Sequence, residues 1–148
     1  MYCIVSPNAD FPCLYRGGIL YSDPTCPLCP ENDKVDIIAM TEDAYLVEAK
    51  VSPMEDCFLI IPKQHITDVM ELPALWQKSF SAMLTCVPWY TPDAPFTLGL
   101  NSGKAAGQTL PHIHNWVIPR REREGSNTYG KGTATLIKEL GQMTVVVV

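Results

Sequence analysis

Two histidines separated by one residue, His112 and His114, are the side chains best suited to chemistry at neutral pH. An unperturbed imidazole has a pKa of about 6.5, so much of it is neutral and nucleophilic at pH 7 without a separate base. Such a nitrogen can attack phosphorus and divide a displacement into two steps. Residues 112–118 are predicted to form a strand, which would place both histidines and Trp116 on one face.

The loop before this pair, residues 101–109, combines small residues with hydrogen-bond donors. Glycine, serine and alanine let the backbone approach an anion closely, and asparagine, serine, threonine and lysine side chains can donate to it. A glycine-rich loop can also be a plain connector. The position of this loop, directly before two histidines on one face, favours a phosphate site.

A second set of reactive side chains begins with Cys26 and Cys29, whose C-x-x-C spacing lets two thiolates bind one metal ion. The alternatives are a redox pair and two idle thiols. A thioredoxin-like pair would open a helix within a βαβ pattern, whereas prolines flank this pair and no such pattern is visible. His65 and His112 could complete a Cys₂His₂ zinc site. The alternative for His65 is an exposed position at the start of a helix.

Apolar runs predict the strands that would carry these residues, and the segment 41–43 between the first two runs suits a hairpin. The last four residues are predicted to form a final strand. Strands, one helix and then strands argue for an α+β fold with an antiparallel sheet. The five main runs are 35–40, 44–49, 57–61, 96–100 and 112–118.

One main helix is predicted after the third run, because apolar residues recur there at helical spacing. Pro73 fits its first turn, and Pro88 ends it. Residues 120–132 are polar and predict a loop, and 133–140 suit a short helix. The apolar stripe of the main helix comprises Trp76, Phe80, Met83, Leu84 and Val87.

Length and charge set further bounds on the protein. A chain of 148 residues fits one domain, with a loop-rich start (1–34), a core (35–120) and a C-terminal loop and strand (121–148). A formal charge of −5 disfavours sequence-independent nucleic-acid binding. The sequence shows neither a signal peptide nor an apolar run long enough to span a bilayer, so a cytoplasmic location is expected.

Taken together, these motifs resemble the histidine triad (HIT) family. The resemblance covers roughly residues 26 to 120, and each motif is specific mainly in combination with the others. It rests on residues 59–65 (LIIPKQH), 107–114 (GQTLPHIH) and 117–120 (VIPR), with a weaker likeness at 51–53 (VSP).

The resemblance implies a role for each of the three histidines. The family motif is His-φ-His-φ-His-φ-φ, where φ is apolar, and its middle histidine, here His114, is the nucleophile. In members with an N-terminal C-x-x-C, His112 and His65 would join Cys26 and Cys29 on a structural zinc ion. The resemblance also implies an antiparallel sheet with a long helix, a nucleotide or nucleotide conjugate as ligand, and a homodimer.

The chain departs from the family pattern at two places. Trp116 replaces the third motif histidine, which lies near the leaving group, and Asn115 occupies an apolar position. Residues 53–57 replace the usual Pro-Gly-His. Glu48 is the nearest candidate for the acidic or amide residue that holds the ribose in this family.

The resulting hypothesis is a nucleotide hydrolase or phosphoramidase. His114 would attack the α-phosphorus, and Asn101, Gln108 and Thr109 would donate hydrogen bonds to the phosphoryl oxygens. Water would then release the nucleoside monophosphate. The alternatives are a nucleotidylyltransferase resembling galactose-1-phosphate uridylyltransferase, which also lacks the third histidine, and a nucleotide-binding module with a degenerate site.

Overall fold

A six-stranded sheet forms the centre of the part of the chain that the structure describes, with strand order β1-β2-β3-β4-β6-β5. The structure, a computed structural model, describes residues 3–4, 22–32, 35–50, 55–72 and 76–122. The strands are β1 (Cys3–Ile4), β2 (Ile37–Met40), β3 (Ala44–Glu48), β4 (Phe58–Pro62), β5 (Phe96–Leu100) and β6 (Asn115–Pro119). A helix, α1 (Trp76–Thr85), and two short 3₁₀ turns, Val69–Glu71 and Lys104–Ala106, complete the elements.

Strands β2 to β6 pair antiparallel, which confirms the predicted α+β sheet. The predicted hairpin is present, because β2 and β3 are joined through 41–43, where the Thr41 N–H donates to the Ala44 carbonyl. Strand β1 was not predicted. It lies within residues 1–34, which were predicted to be loops, and it pairs in parallel with β2. Two residues are too few to produce a detectable period.

The two faces of the sheet carry different layers. On one face, Tyr45, Val47, Leu59 and Ile61 pack with the loop that contains the cysteine pair. The Tyr45 hydroxyl donates to the Leu28 carbonyl and anchors that loop. On the opposite face, residues of β3, β4 and β6 pack against α1, as expected from the two-residue alternation of strands. These residues are Leu46, Phe58, Ile60 and Val117.

Helix α1 confirms the predicted apolar stripe. Met83 and Val87 are buried, and Trp76, Phe80 and Leu84 are partly buried against the same cluster. The helix ends before Pro88, as predicted. Pro73 and the segments 123–132, 133–140 and 145–148 lie outside the described residues. No helix in the described ranges is both long enough and apolar enough to cross a membrane.

The predicted strand 112–118 needs a correction at its start. Strand β6 begins at Asn115, so His112 and His114 lie in the approach to the strand and not within it. The Ile113 N–H donates to the Ile66 carbonyl at 2.7 Å, outside the strand ladder. The His112 side chain lies among the candidate metal ligands, and the His114 side chain lines a cavity.

Candidate metal centre and candidate active site

Four buried side chains, Cys26, Cys29, His65 and His112, bring their ligand atoms within 4.8 Å of one another. The Sγ of Cys26 lies 3.5 Å from Nδ1 of His112, and the Sγ of Cys29 lies 3.4 Å from Nδ1 of His65. A tetrahedral zinc ion with Zn–S near 2.3 Å and Zn–N near 2.0 Å has ligand–ligand edges of about 3.3–3.8 Å. The four side chains fit such an ion.

The hydrogen bonds around these ligands also suit a metal. The Nε2 of His112 lies 2.9 Å from the Pro62 carbonyl, which can only accept, so Nε2 carries the proton and the lone pair is on Nδ1. A metal-bound histidine is commonly oriented in this way, by a hydrogen bond from the ring nitrogen that does not bind the metal. The Asp23 N–H donates to the Sγ of Cys29 at 3.3 Å and would stabilise negative charge on that sulfur.

Burial decides one alternative left open by the sequence and bears on another. His65 is 8% exposed, so the alternative of a solvent-exposed position at the start of a helix is wrong, and the predicted metal ligand is buried with the other three. The position of the cysteine pair beside two buried histidines favours a metal site over a redox pair, and burial raises the pKa of the Cys26 thiol. Burial also lowers the pKa of His112 to about 4, which keeps the neutral form that binds metal.

His114 sits two residues beyond this cluster, buried, and is oriented by a single hydrogen bond. Its Nδ1 lies 2.8 Å from the His112 carbonyl, which can only accept. The proton therefore resides on Nδ1, and the lone pair of the neutral ring resides on Nε2. Burial lowers the pKa of His114, in keeping with a neutral imidazole. This arrangement supplies a directed nucleophilic nitrogen.

His114 borders a cavity of about 280 Å³ on the sheet face that carries the cysteine loop. Trp116 lines the same cavity, with its ring centroid 6.3 Å from that of His114, and pairs across the sheet with Leu59 and Gly99. Glu48 at the end of β3 and Thr109 also line it. Four of the sequence-predicted site residues thus meet around one space.

Asn101 and Gln108 do not line this cavity. Oε1 of Gln108 accepts from the Gly103 N–H at 2.7 Å, and Nε2 donates to the Leu110 carbonyl at 2.9 Å. Nδ2 of Asn101 lies 3.5 Å from the Gly107 carbonyl. Both amides hydrogen-bond within the loop, so here they shape it.

Sequence reasoning missed two charged residues of the cavity, Asp36 and Lys50. Lys50 is two positions after Glu48, which is the spacing of residues on one face of a strand, and that period could have identified it. Asp36 precedes β2 and carries no comparable signal, because its place depends on pairing between β2 and β3.

The chain is similar to known proteins in sequence and in fold. A family model, the HIT domain, matches residues 31–123. Adenylylsulfatase HINT3 of Arabidopsis thaliana is 35% identical over 95 residues, which are 57% of this chain and 47% of that protein. The match spans about half the length of that curated relative.

Two solved structures share the fold at low sequence identity. A hypothetical protein from Leishmania major has a TM-score of 0.57 and 21% identity and covers 80% of this chain and 92% of its own. A HIT family hydrolase from Clostridium thermocellum has a TM-score of 0.54 and 21% identity. The match covers 72% of this chain and 99% of that hydrolase.

Proposed function

Because the chain belongs to the HIT domain family, we propose that it is a nucleotide hydrolase whose nucleophile is Nε2 of His114. One observation carries the proposal: the His112 carbonyl fixes the proton of His114 on Nδ1 and leaves the Nε2 lone pair free. This nitrogen belongs to a side chain that lines a cavity. The name of the Arabidopsis relative describes hydrolysis of an adenylyl compound and supports the same reaction class.

The proposed reaction has two displacements at the α-phosphorus. In the first, Nε2 of His114 forms a bond to phosphorus, and the leaving group departs with the electron pair of the broken bond. The Nδ1–H, which remains bonded to the His112 carbonyl, shares the positive charge that develops on the ring. In the second, water attacks phosphorus, the P–N bond breaks, and the nucleoside monophosphate and a proton are released.

Polar groups around the cavity are proposed to bind the rest of the substrate. Of the three predicted donors, Thr109 is the one that lines the His114 cavity, so its hydroxyl would bind a phosphoryl oxygen. Asn101 and Gln108 would donate to the same group after exchanging their loop hydrogen bonds. Glu48, exposed at the end of β3, would bind the ribose, and Trp116 would form a wall beside the leaving group.

Zinc is proposed to be structural, because four protein ligands leave no open coordination position for substrate. The ligands join three segments: the cysteine loop, the turn after β4 and the approach to β6. The last of these carries His114. The metal would therefore hold the nucleophile in place through the backbone of His112 and would take no part in bond breaking.

The test of the proposed function is a covalent adduct. Wild-type protein is mixed with adenosine 5′-phosphosulfate, quenched in mild base and analysed by intact mass spectrometry. We expect an adenylyl adduct that maps to His114 and free AMP in solution. His114→Ala should give neither, while its zinc content matches that of the wild type. Turnover by His114→Ala at the wild-type rate would refute the assignment.

The second candidate, a nucleotidylyltransferase, is favoured by Trp116, because the transferase that the motif resembles also lacks the third histidine. Such an enzyme would pass the nucleotide to an acceptor other than water. An adduct that is stable in buffer and discharges only to an added acceptor would identify it. Tight nucleotide binding without any adduct would identify a binding module instead.

The expected homodimer and cytoplasmic location are also proposals. The edge strand β5 would meet a second copy, since Leu98 on this strand is 43% exposed. Sedimentation equilibrium of wild type and Leu98→Asp would test the dimer. Thiols stay reduced in the cytosol. A cytoplasmic location therefore suits a cysteine pair, Cys26 and Cys29, that lies among candidate metal ligands.

A further inference from the structure

We propose that the cysteine loop, residues 26–29, is a wall of the nucleotide cavity whose position depends on Tyr45, and that metal binding and nucleotide binding therefore strengthen each other. The inference rests on the proposed function only in taking a nucleotide as the occupant of the His114 cavity. It gives the metal centre a second effect, on the affinity for the nucleotide, besides holding the segment that carries His114.

The wall consists of the two residues between the ligand cysteines. Pro27 and Leu28 line the same cavity as His114. In the chain they lie directly between Cys26 and Cys29, whose sulfur atoms belong to the metal cluster. A nucleotide that fills this cavity therefore contacts a segment whose two ends are metal ligands.

The cysteine loop and the sheet side of the cavity pack in one apolar cluster. This cluster contains both ligand cysteines, Leu28, and two residues of the sheet, Val47 and Leu59. Leu28, Val47 and Leu59 all line the cavity as well. Side chains in such a cluster are close-packed, so a displacement of the loop changes the shape of the cavity.

Hydrogen bonds hold the loop in this position. The Cys29 N–H donates to the Cys26 carbonyl at 3.2 Å and closes a tight turn around Pro27 and Leu28. The Tyr45 hydroxyl donates to the Leu28 carbonyl. Tyr45 is fully buried and is not among the described residues that line the cavity. Its hydroxyl can therefore influence the cavity through the position of Leu28.

The coupling follows from the conformational freedom of the loop. A metal held by Cys26 and Cys29 fixes both ends of the wall, so that the nucleotide meets a surface already formed. Without the metal, the nucleotide would have to order the loop itself, which costs conformational entropy. Binding free energies are reciprocal, so the nucleotide must strengthen metal binding by the same factor as the metal strengthens nucleotide binding.

The first test measures the zinc affinity of wild-type protein with and without AMP, which is the proposed product and is not turned over. Zinc-loaded protein is equilibrated with a series of chelator concentrations, free metal is removed, and bound zinc is measured by mass spectrometry. Saturating AMP should lower the apparent Kd for zinc at least about fivefold, the lower end of typical coupling between two sites.

Two truncations show whether the coupling passes through the wall. Leu28 and Val47 are each 7% exposed and both line the cavity, but only Leu28 lies between metal ligands. In Leu28→Ala, the factor by which saturating AMP changes zinc affinity should fall towards one. Val47→Ala is the matched control. It should weaken AMP binding and keep the wild-type factor.

Tyr45→Phe tests the positioning role, because it removes the hydroxyl and keeps the ring. Calorimetry on the zinc-loaded variant should show a Kd for AMP about two- to tenfold higher than in wild type, the range for loss of one hydrogen bond. Ser79→Ala is the control. It removes another buried hydroxyl, which bonds to Asp43, and should leave the Kd for AMP unchanged.

Equal zinc affinity of wild type with and without AMP would overturn the inference, as would the absence of AMP binding. The same factor in wild type and Leu28→Ala would also overturn it, because AMP would then act through overall stability. If Leu28→Ala does not fold, an unchanged Kd for AMP in Tyr45→Phe is the overturning result. The adduct assay decides the proposed function separately. An adduct without coupling refutes only this inference, and coupling without an adduct refutes only the hydrolase.

Discussion

The carbonyl of His112 accepts a hydrogen bond from Nδ1 of His114 at 2.8 Å, while the imidazole of His112 contacts the Sγ of Cys26 at 3.5 Å. One residue thus belongs to the metal cluster through its side chain and orients the neighbouring imidazole through its backbone. Displacing the segment 112–114 would disturb both sites. A substitution of His114 should nevertheless spare the metal ligands, because its side chain is not among them, whereas a substitution of His112 removes one directly.

Purified protein should contain about one zinc ion per chain. Cys26→Ser should lose metal and lower the Tm together, because structural zinc binding is coupled to folding. Each kcal/mol lost shifts the Tm by about 2–4 °C in a domain of this size. Metal analysis by mass spectrometry and differential scanning calorimetry would measure the two effects.

Cys86→Ser is the matched control for the zinc prediction, since Cys86 is partly buried and lies outside the metal cluster. It should retain a full complement of zinc. Full metal content and an unchanged Tm in Cys26→Ser would exclude Cys26 as a ligand.

The two histidines should separate folding from chemistry. His112→Ala should lose zinc and stability, because it removes a buried ligand together with its bond to the Pro62 carbonyl. His114→Ala should keep zinc and a near-native Tm while losing adduct formation. Zinc content and circular dichroism melts distinguish them. A folded, zinc-loaded His112→Ala would show that the roles of the histidines are exchanged or that the metal site is wrong.

Thr109→Ala should reduce kcat/KM without affecting zinc. The hydroxyl would donate one hydrogen bond to a charged phosphoryl group, and losing such a bond costs about 1.5–3 kcal/mol, or about 10- to 150-fold in rate. Thr109→Ser keeps the hydroxyl and should recover most of the activity. If the serine variant is as impaired as the alanine variant, the methyl group of Thr109 matters for packing and the hydrogen bond does not explain the loss.

Most of the sheet could be predicted because its strands are short apolar runs between polar turns. Strand β5 coincides with the predicted segment 96–100, and β4 is displaced by one residue from the predicted 57–61. The start of β6 could not be predicted, because the alternating sequence 112–118 resembles a strand throughout. The Ile113 N–H instead bonds to Ile66, a partner 47 positions away that local periodicity does not reveal.

The candidate site was predictable where residue type decides its chemistry and unpredictable where tertiary contacts do. The C-x-x-C pair and the histidines limited the possible metal ligands, although only the fold brings His65 beside Cys29. The amide of Gln108 suggested a phosphate donor, whereas the structure uses it to close a loop. The lysine of the same loop was counted among the possible anion donors, and the structure places it, Lys104, exposed in a 3₁₀ turn.

Trp116→His should change the choice of leaving group. The indole N–H can donate a hydrogen bond but does not titrate near neutral pH, so it cannot protonate a departing amine. Trp116 lies beside His114, with ring centroids 6.3 Å apart, and a histidine there could supply the proton. General acid help is worth about 10²–10⁴-fold. We therefore expect a gain of at least tenfold in kcat/KM for adenosine 5′-phosphoramidate.

The phosphosulfate supplies the internal comparison for this substitution, because sulfate departs as an anion without a proton and its kcat/KM should change little in Trp116→His. Trp116→Phe preserves an aromatic wall but lacks any N–H, and should improve neither substrate. Equal gains on both substrates, or equal losses on both, would mean that Trp116 acts by packing against the cavity. A gain restricted to the phosphoramidate would show that Trp116, which cannot supply a proton, limits the reaction to leaving groups that need none.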